Sequence, residues 1–442
     1  MTLSRDHLAV FARTPVAGAC KTRLIPHLGP HGAAAVACQL GRHTLAEADA
    51  WRAATASEGA VTLWLAGEPD KLPAAWNSAV TVAEQPAGDL GQRLEVAIQT
   101  EFDRGAQRVV VIGTDCPGVD RHLLVDAFRA LHHTDVVLGP ALDGGYTLIG
   151  LKQPHPDLFR QMPWSTEHLL DATRSRLRQL NLSWTELATL GDIDTPDDLP
   201  RFARLAEPVT DGGLANPHLV SLLIPSRGDA RLLAQTLAAV RDAATGPVEL
   251  IVHATADELG LHETATEFNA AIYIDDRPRA VRLNAGAALA QGAALLCLHA
   301  DARVPPGFDA AIRETLTDRS ISLGAFSLAI DGTQPALATI ARGANWRSSV
   351  CKLPYGDQGL FCRASDFWRV GGFPPWPLLD DVALVRKLTR RGRLALLPDP
   401  IIVSARRWQR LGPVRTTLLN QAILAAWFLG VPPETLARWY RR

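Results

Sequence analysis

The residues best suited to chemistry in this chain are carboxylates that stop apolar runs. Val109-Val110-Val111-Ile112 is followed at once by Gly113-Thr114-Asp115-Cys116-Pro117-Gly118. Four apolar residues, all of them β-branched, predict a parallel strand buried on both faces, with Asp115 at its carboxyl end. Open α/β sheets bind ligands at that end. The pattern returns in Ala294-Leu295-Leu296-Cys297-Leu298-His299-Ala300-Asp301, with Pro305 close behind, so the chain carries the same device twice. A carboxylate so placed suits a hard divalent cation, because Mg²⁺ takes only one or two carboxylates and completes its shell with water and substrate phosphates. The implied reaction is transfer from a diphosphate: a cation steadies the leaving phosphate, and a second carboxylate takes the proton of an acceptor hydroxyl. Asp301 with Asp381 fits that division of labour.

Other candidates carry an ordinary structural reading beside the functional one. Leu8 to Ala12 predicts a first strand, and the loop after it holds Pro15, Gly18, Lys21 and Arg23. Close backbone amides and two cations would cradle phosphates, although an ordinary surface loop reads equally well. It is not a Walker A loop, since Cys20 precedes Lys21 and Thr14 stands where the first glycine would be. Asp143-Gly144-Gly145 is first of all a hairpin turn, but its place one helix after Asp115 makes Asp143 a candidate as well. Asp192 and Asp194 alternate, so on an extended segment they point the same way, and Thr195-Pro196-Asp197-Asp198 predicts a helix cap. His132 and His133, adjacent on a helix, point apart and read as surface. Asp380 and Asp381 open a helix that ends in Arg386, Lys387, Arg390 and Arg391, which dipole complementarity explains without any function.

These elements need two domains. A chain of 442 residues exceeds the size at which single cores stop growing. Broken periodicity from Leu205 to His218 places a linker there, between domains at 1–204 and 219–442. A net charge of −1 gives no electrostatic ground for nucleic-acid binding. The six cysteines show no metal spacing and suit reduced thiols. With no basic segment leading into a long apolar one at the start, the expectation is a cytoplasmic protein. The stretch Leu418 to Val431, interrupted by Asn420-Gln421, is too short to span a bilayer and predicts a buried C-terminal helix. The alternative is peripheral contact at the inner face of the membrane, helped by Arg406, Arg407, Trp408, Arg410 and Trp439.

Over about residues 7 to 200, several ordered motifs resemble the rSAM/selenodomain-associated transferase 1 family. They are Phe11-Ala12-Arg13-Thr14-Pro15, Lys21-Thr22-Arg23, Gly113 to Gly118, Asp143-Gly144-Gly145-Tyr146 and Asp192 with Asp194-Thr195-Pro196. From Leu219 to Tyr440 the chain resembles the companion transferase 2 family, a branch of the family 2 glycosyltransferases. The matching residues are Ile224-Pro225, Arg279-Ala280, Leu298 to Asp301, Leu353 to Gln358, Gly371-Gly372-Phe373, Asp380-Asp381 and Arg406-Arg407-Trp408. The resemblance implies an α/β fold: two GT-A, Rossmann-like domains of the nucleotide-diphospho-sugar transferase type in tandem. It implies a transferase with a nucleotide or nucleotide-sugar donor, a divalent metal (Mg²⁺ or Mn²⁺) and a small-molecule or lipid-linked acceptor.

In the first domain Lys21 and Arg23 would meet phosphates, Asp115 and Asp194 the metal, and Asp143 the donor or acceptor. In the second, the resemblance puts metal on Asp301, the catalytic base at Asp381, and the donor nucleotide near Arg279, Arg407 and Trp408. That group usually carries Asn-Glu after its first strand and an acidic triplet after its second. Here the two places read Arg227-Gly228-Asp229 and His253-Ala254-Thr255, leaving Asp229 as the substitute acid. The leading expectation is a metal-dependent glycosyltransferase. The alternatives are a nucleotidyltransferase in the first domain, and a second domain that is a non-catalytic scaffold.

Overall fold

The computed structural model describes residues 6–55, 59–76, 80–226, 230–255, 260–406, 408 and 412–440. Asp229 and Arg407 lie outside the described residues. The chain divides into two compact units, one of Met1–Arg23 with Ala34–Arg201, the other of Leu24–Ala33 with Phe202–Arg442. The expected α/β class holds, with one large sheet in each unit.

The first sheet has seven strands: β1 (Asp6–Arg13), β2 (Gly59–Ala66), β3 (Thr81–Glu84), β4 (Arg108–Gly113), β5 (Val136–Pro140), β6 (Tyr146–Leu151) and β7 (Trp184–Glu186). Their order is β3-β2-β1-β4-β6-β5-β7. β1 to β4 run parallel, while β6 runs antiparallel to both β4 and β5. The apolar run in β4 is continuous because both of its faces are covered. Val110 and Ile112 join a core with Leu124, Ala127 and Phe128, whereas Val109 and Val111 join another with Leu94, Ala97 and Ile98. The helix Leu90–Asp103 starts at a reciprocal cap in which Asp89 accepts from Gln92 N and Gln92 accepts from Asp89 N.

The second unit repeats the plan with β8 (Asn216–Pro225), β9 (Val248–Ala254), β10 (Ala271–Ile274), β11 (Gly292–Cys297), β12 (Ala302–Arg303), β13 (Ile321–Asp331), β14 (Phe361–Arg363) and β15 (Arg393–Ser404). The order is β10-β9-β8-β11-β14-β13-β15-β12. Four parallel strands again meet an antiparallel one, here β14 against β11. The chain leaves β4 and β11 at corresponding places, just before Asp115 and Asp301.

The C-terminal helix Pro413–Phe428 is covered on one side only, which corrects the expectation of a buried helix. Thr416, Ile423 and Leu424 are buried, while Leu418 and Phe428 are exposed. The apolar run is longer than the single stripe a partner helix can cover. No helix among the described residues is long and apolar enough to cross a membrane.

The hairpin reading of Asp143-Gly144-Gly145 holds, since the turn joins the antiparallel pair β5 and β6. Its geometry is tight: Gly144 has φ +87, and a Cβ there would stand 2.1 Å from the Glu167 carbonyl oxygen. Gly144→Ala is therefore expected to destabilise by about 1–3 kcal/mol. A lowered urea midpoint would show this; an unchanged one would mean that the turn does not need its glycine.

Candidate functional site

The loop after β1, the end of β4, the β5–β6 turn and the extended segment Leu190–Asp194 converge in the first unit. They line a cavity of about 920 Å³ together with Arg93, Trp164 and Glu167. That volume lies within the ~300–1,000 Å³ of ordinary ligand pockets. Lys21, Arg23, Asp115, Asp143, Asp192 and Asp194 all line it.

Backbone hydrogen bonds fix the segment that carries Asp192 and Asp194. Ile193 N donates to Asp115 O at 3.0 Å, Leu190 N to Pro140 O at 3.0 Å, and Leu142 N to Leu190 O at 2.9 Å. Just beyond, Asp198 accepts from Asp194 N, Thr195 N and the Thr195 hydroxyl, so the expected cap forms and holds Asp194 at its start. Asp143 Oδ1 accepts from Gly145 N at 2.9 Å within the hairpin turn.

Lys21 is the centre of the arrangement. It takes a left-handed conformation, φ 43, that turns its side chain inward. Its Nζ lies 2.8 Å from Asp115 Oδ1 and 2.8 Å from Asp194 Oδ1. Only 7% of the lysine side chain is exposed, against 57% and 42% for the two carboxylates. Burial alone would lower the Lys21 pKa, but the two carboxylates outweigh it and hold the ammonium above its usual value. Arg23 is more distant, 3.9 Å from Asp194, and its side chain is largely exposed. Asp192 is pushed above the ordinary carboxylate range by burial, then by the charges of Asp194 and Asp143. Four carboxylates thus crowd one cavity wall around a single buried ammonium.

Two carboxylate oxygens that already converge on one cation have the chemistry of a divalent-metal site, with room in the cavity for phosphates and water. Among the described residues no group of three or more His, Cys, Asp or Glu side chains could by itself hold a metal ion. Two carboxylates alone fit a metal whose shell is completed by substrate phosphates and water. Sequence reasoning placed Asp115, Asp143 and Asp194 in this site but gave no role to Arg93. The motif Gly88 to Leu94 reads only as a helix start, and the cation in the helix's first turn was the available sign.

The second unit places its candidates differently. Arg279 Nη1 donates to Asp380 Oδ2 at 2.9 Å, and Arg279 Nη2 lies 3.5 Å from His299 Nε2. Both oxygens of Asp381 already accept backbone amides, Oδ2 from Gly356 N at 2.7 Å and Oδ1 from Val382 N at 2.8 Å. Asp301 is raised above its usual pKa by burial, and Arg406, 3.9 Å away, is the cation nearest to it in the ion pairs of the described residues. Trp408 lines a separate cavity in this unit. His253, which stands where an acidic triplet would begin, is buried and stacked on Tyr273 with ring centroids 5.2 Å apart.

Residues 45–166 match a family of uncharacterized proteins conserved in bacteria, DUF2064. Among curated proteins there is no match. Among solved structures, the chain is similar to a provisionally named nucleotide-diphospho-sugar transferase from Desulfovibrio desulfuricans G20. Identity is 31% over 46% of this chain and 87% of that one, with a TM-score of 0.41. More distant are the mannosyltransferase PcManGT from Pyrobaculum calidifontis, in complex with GDP-Man and Mn²⁺, and TarS from S. aureus. The first is 18% identical over 42% of this chain and 56% of that one, TM-score 0.34. The second is 13% identical over 42% of this chain and 36% of that one, TM-score 0.34.

The buried imidazole of His253 makes a pH test. Burial first, and the Arg282 charge second, lower its pKa from 6.5 to about 3. Between those values the unfolded chain binds a proton that the folded chain refuses. Stability is thus full above about pH 6.5 and falls as pH drops toward 3, by up to about 1.4 kcal/mol per pH unit. Urea midpoints measured from pH 7 to 5 are expected to fall less steeply for His253→Phe than for the wild type, and equal slopes would rule the explanation out.

Proposed function

The chain belongs, over 46% of its length, to the family of the Desulfovibrio desulfuricans G20 nucleotide-diphospho-sugar transferase, and from that premise we propose a metal-dependent glycosyltransferase with a nucleotide-diphosphate-sugar donor. It is a transferase, and its donor site is the cavity of the first unit. The observation that carries this reading is the convergence of Asp115 and Asp194 on one cation, both at 2.8 Å, at the carboxyl end of β4.

Asp115 and Asp194 would hold Mg²⁺ or Mn²⁺, which when bound neutralises charge on the departing nucleoside diphosphate. Lys21 is the side chain that must yield. Its ammonium, released from the two carboxylates, meets the donor phosphates together with Arg23 at the mouth of the cavity. Asp143 has Oδ1 engaged by Gly145 N, which orients the carboxylate and leaves Oδ2 to take the proton of an acceptor hydroxyl. The acceptor is a small molecule or a lipid-linked one. In the second unit, Asp301 is the candidate metal ligand and Asp381 the candidate base, with Arg279, Asp229, Arg407 and Trp408 on the nucleotide.

A second reading makes the first unit a nucleotidyltransferase and the second a scaffold. It is favoured by the engagement of the second unit's groups with one another: Arg279 is paired with Asp380, and both oxygens of Asp381 receive backbone amides. The leaving group decides between the two, since a glycosyltransferase releases a nucleoside diphosphate and a nucleotidyltransferase pyrophosphate. Turnover by Asp381→Asn tests the second unit, because the scaffold reading requires it to persist.

The donor assignment is tested by titrating the full-length protein with nucleoside diphosphates and nucleotide sugars in Mn²⁺, read by calorimetry. Asp115→Ala is expected to weaken binding at least about tenfold, a loss of about 1.4 kcal/mol. Unchanged binding would remove Asp115 from the site.

A further inference from the structure

The second unit contains a cavity of about 790 Å³ that shares Trp408 with the proposed nucleotide contacts, but whose cations none of the preceding chemistry uses. It lies between the helix Pro335–Val350, the turn around Asp357, the end of the helix Asp380–Thr389 and the C-terminal helix Pro413–Phe428. Its charge balance differs from that of the first unit's cavity. There, five acids, Asp115, Asp143, Asp192, Asp194 and Glu167, face four cations. Here Arg347, Lys352, Arg386 and Arg390 face Asp357 alone, and much of the remaining wall is apolar.

The cations are placed as a receptor would place them. Arg386 is held over the rings of Trp427 and Phe428, 5.3 and 5.2 Å from their centroids. Arg347 lies 3.4 Å from the centroid of Tyr355 and donates to Leu353 O and Gln358 Oε1. Among the described residues no carboxylate pairs with Arg386, Arg390 or Lys352. A guanidinium packed on aromatic faces without an anion keeps its full charge for one, and stacked arginine is well suited to phosphate. A second observation points to a ligand: Asp357 Oδ1 is buried at this cavity and has no hydrogen-bond partner among the described residues. Burial pushes that carboxyl up to about 6, so it can carry a proton and donate it to a phosphate oxygen. The apolar side continues outward through Trp346 and Phe428, 63% and 54% exposed, both of which line the cavity.

We propose that this cavity binds a lipid phosphate, its head on Arg386, Arg390 and Lys352 and its chain along the apolar wall between the helices Pro335–Val350 and Pro413–Phe428. The four-to-one excess of cations selects a phosphate head, and the apolar wall selects a hydrocarbon chain. Binding itself does not depend on the donor reading. Only the further step, that this lipid is the acceptor of the transfer, rests on it.

The test uses the full-length protein and citronellyl phosphate, a ten-carbon prenyl phosphate, below its micelle concentration, with binding read by calorimetry. Inorganic phosphate and citronellol are the two half-ligands, and each is expected to bind at least about tenfold more weakly. The double variant Arg386→Ala/Arg390→Ala is expected to lose at least about tenfold in affinity. Gly343→Leu guards against a folding artefact. Gly343 lies on the helix Pro335–Val350 and lines the cavity, and a Cβ there meets nothing within 4 Å, so a leucine side chain starts out in open space at the cavity wall. It should weaken binding while the melting temperature is kept. Asp115→Ala should bind the lipid phosphate as the wild type does, which separates this site from the donor site. The proposal is overturned if either half-ligand binds as well as the whole, or if all cavity variants bind normally. It is equally overturned if UDP displaces the probe, or if the protein binds only anionic vesicles and not the monomeric amphiphile.

Discussion

A buried lysine bridging two half-exposed carboxylates organises the first unit. Lys21 reaches Asp115 and Asp194 from a loop in which its own backbone is left-handed, and neither acid is near it in sequence. A cation with 7% of its side chain exposed requires both partners, because breaking a buried pair leaves an uncompensated charge. The strand end, the first loop and the segment around Asp194 must therefore hold their relative positions. The backbone hydrogen bond from Ile193 N to Asp115 O and the cap by the Asp198 carboxylate provide this. Asp192, raised above the ordinary carboxylate range first by burial and then by the charges of Asp194 and Asp143, adds a further acid to the same wall. A donor diphosphate would worsen that balance, and a divalent cation would correct it.

The two units share a sheet plan but have diverged in electrostatics. In the first, acids surround a cavity and leave a cation to be supplied. In the second, acids and bases have paired internally, as Arg279 with Asp380, and a separate cavity has gathered cations that have no carboxylate partner among the described residues. Two similar sheets can thus carry differently charged cavities, with function residing in sites grafted on the fold.

Much of the sheet was legible in the sequence. The unbroken apolar run at Val109–Ile112 requires cover on both faces, which two cores provide. The caps at Asp89 and Thr195, and the turn at Asp143-Gly144-Gly145, are local devices whose chemistry is complete within a few residues. The site was legible only in its membership. That Lys21 neutralises Asp115 and Asp194 depends on a contact spanning 173 positions, for which one sequence carries no periodicity or spacing. The second cavity was invisible for the same reason. Arg386 and Arg390 read as ordinary complements to a helix dipole, and only tertiary packing places Trp427 and Phe428 beneath Arg386. The one-sided cover of the C-terminal helix likewise depends on its neighbours, not on its own apolar run.

The central claim is that the Lys21 ammonium and a divalent cation compete for the same two carboxylates. Mn²⁺ titration of the full-length wild type and of Lys21→Met, followed by electron paramagnetic resonance without nucleotide, tests it most directly. The variant is expected to bind Mn²⁺ at least about tenfold more tightly, since both carboxylates are then free, and to bind nucleoside diphosphate more weakly. Mn²⁺ binding unchanged or weakened by Lys21→Met would contradict it.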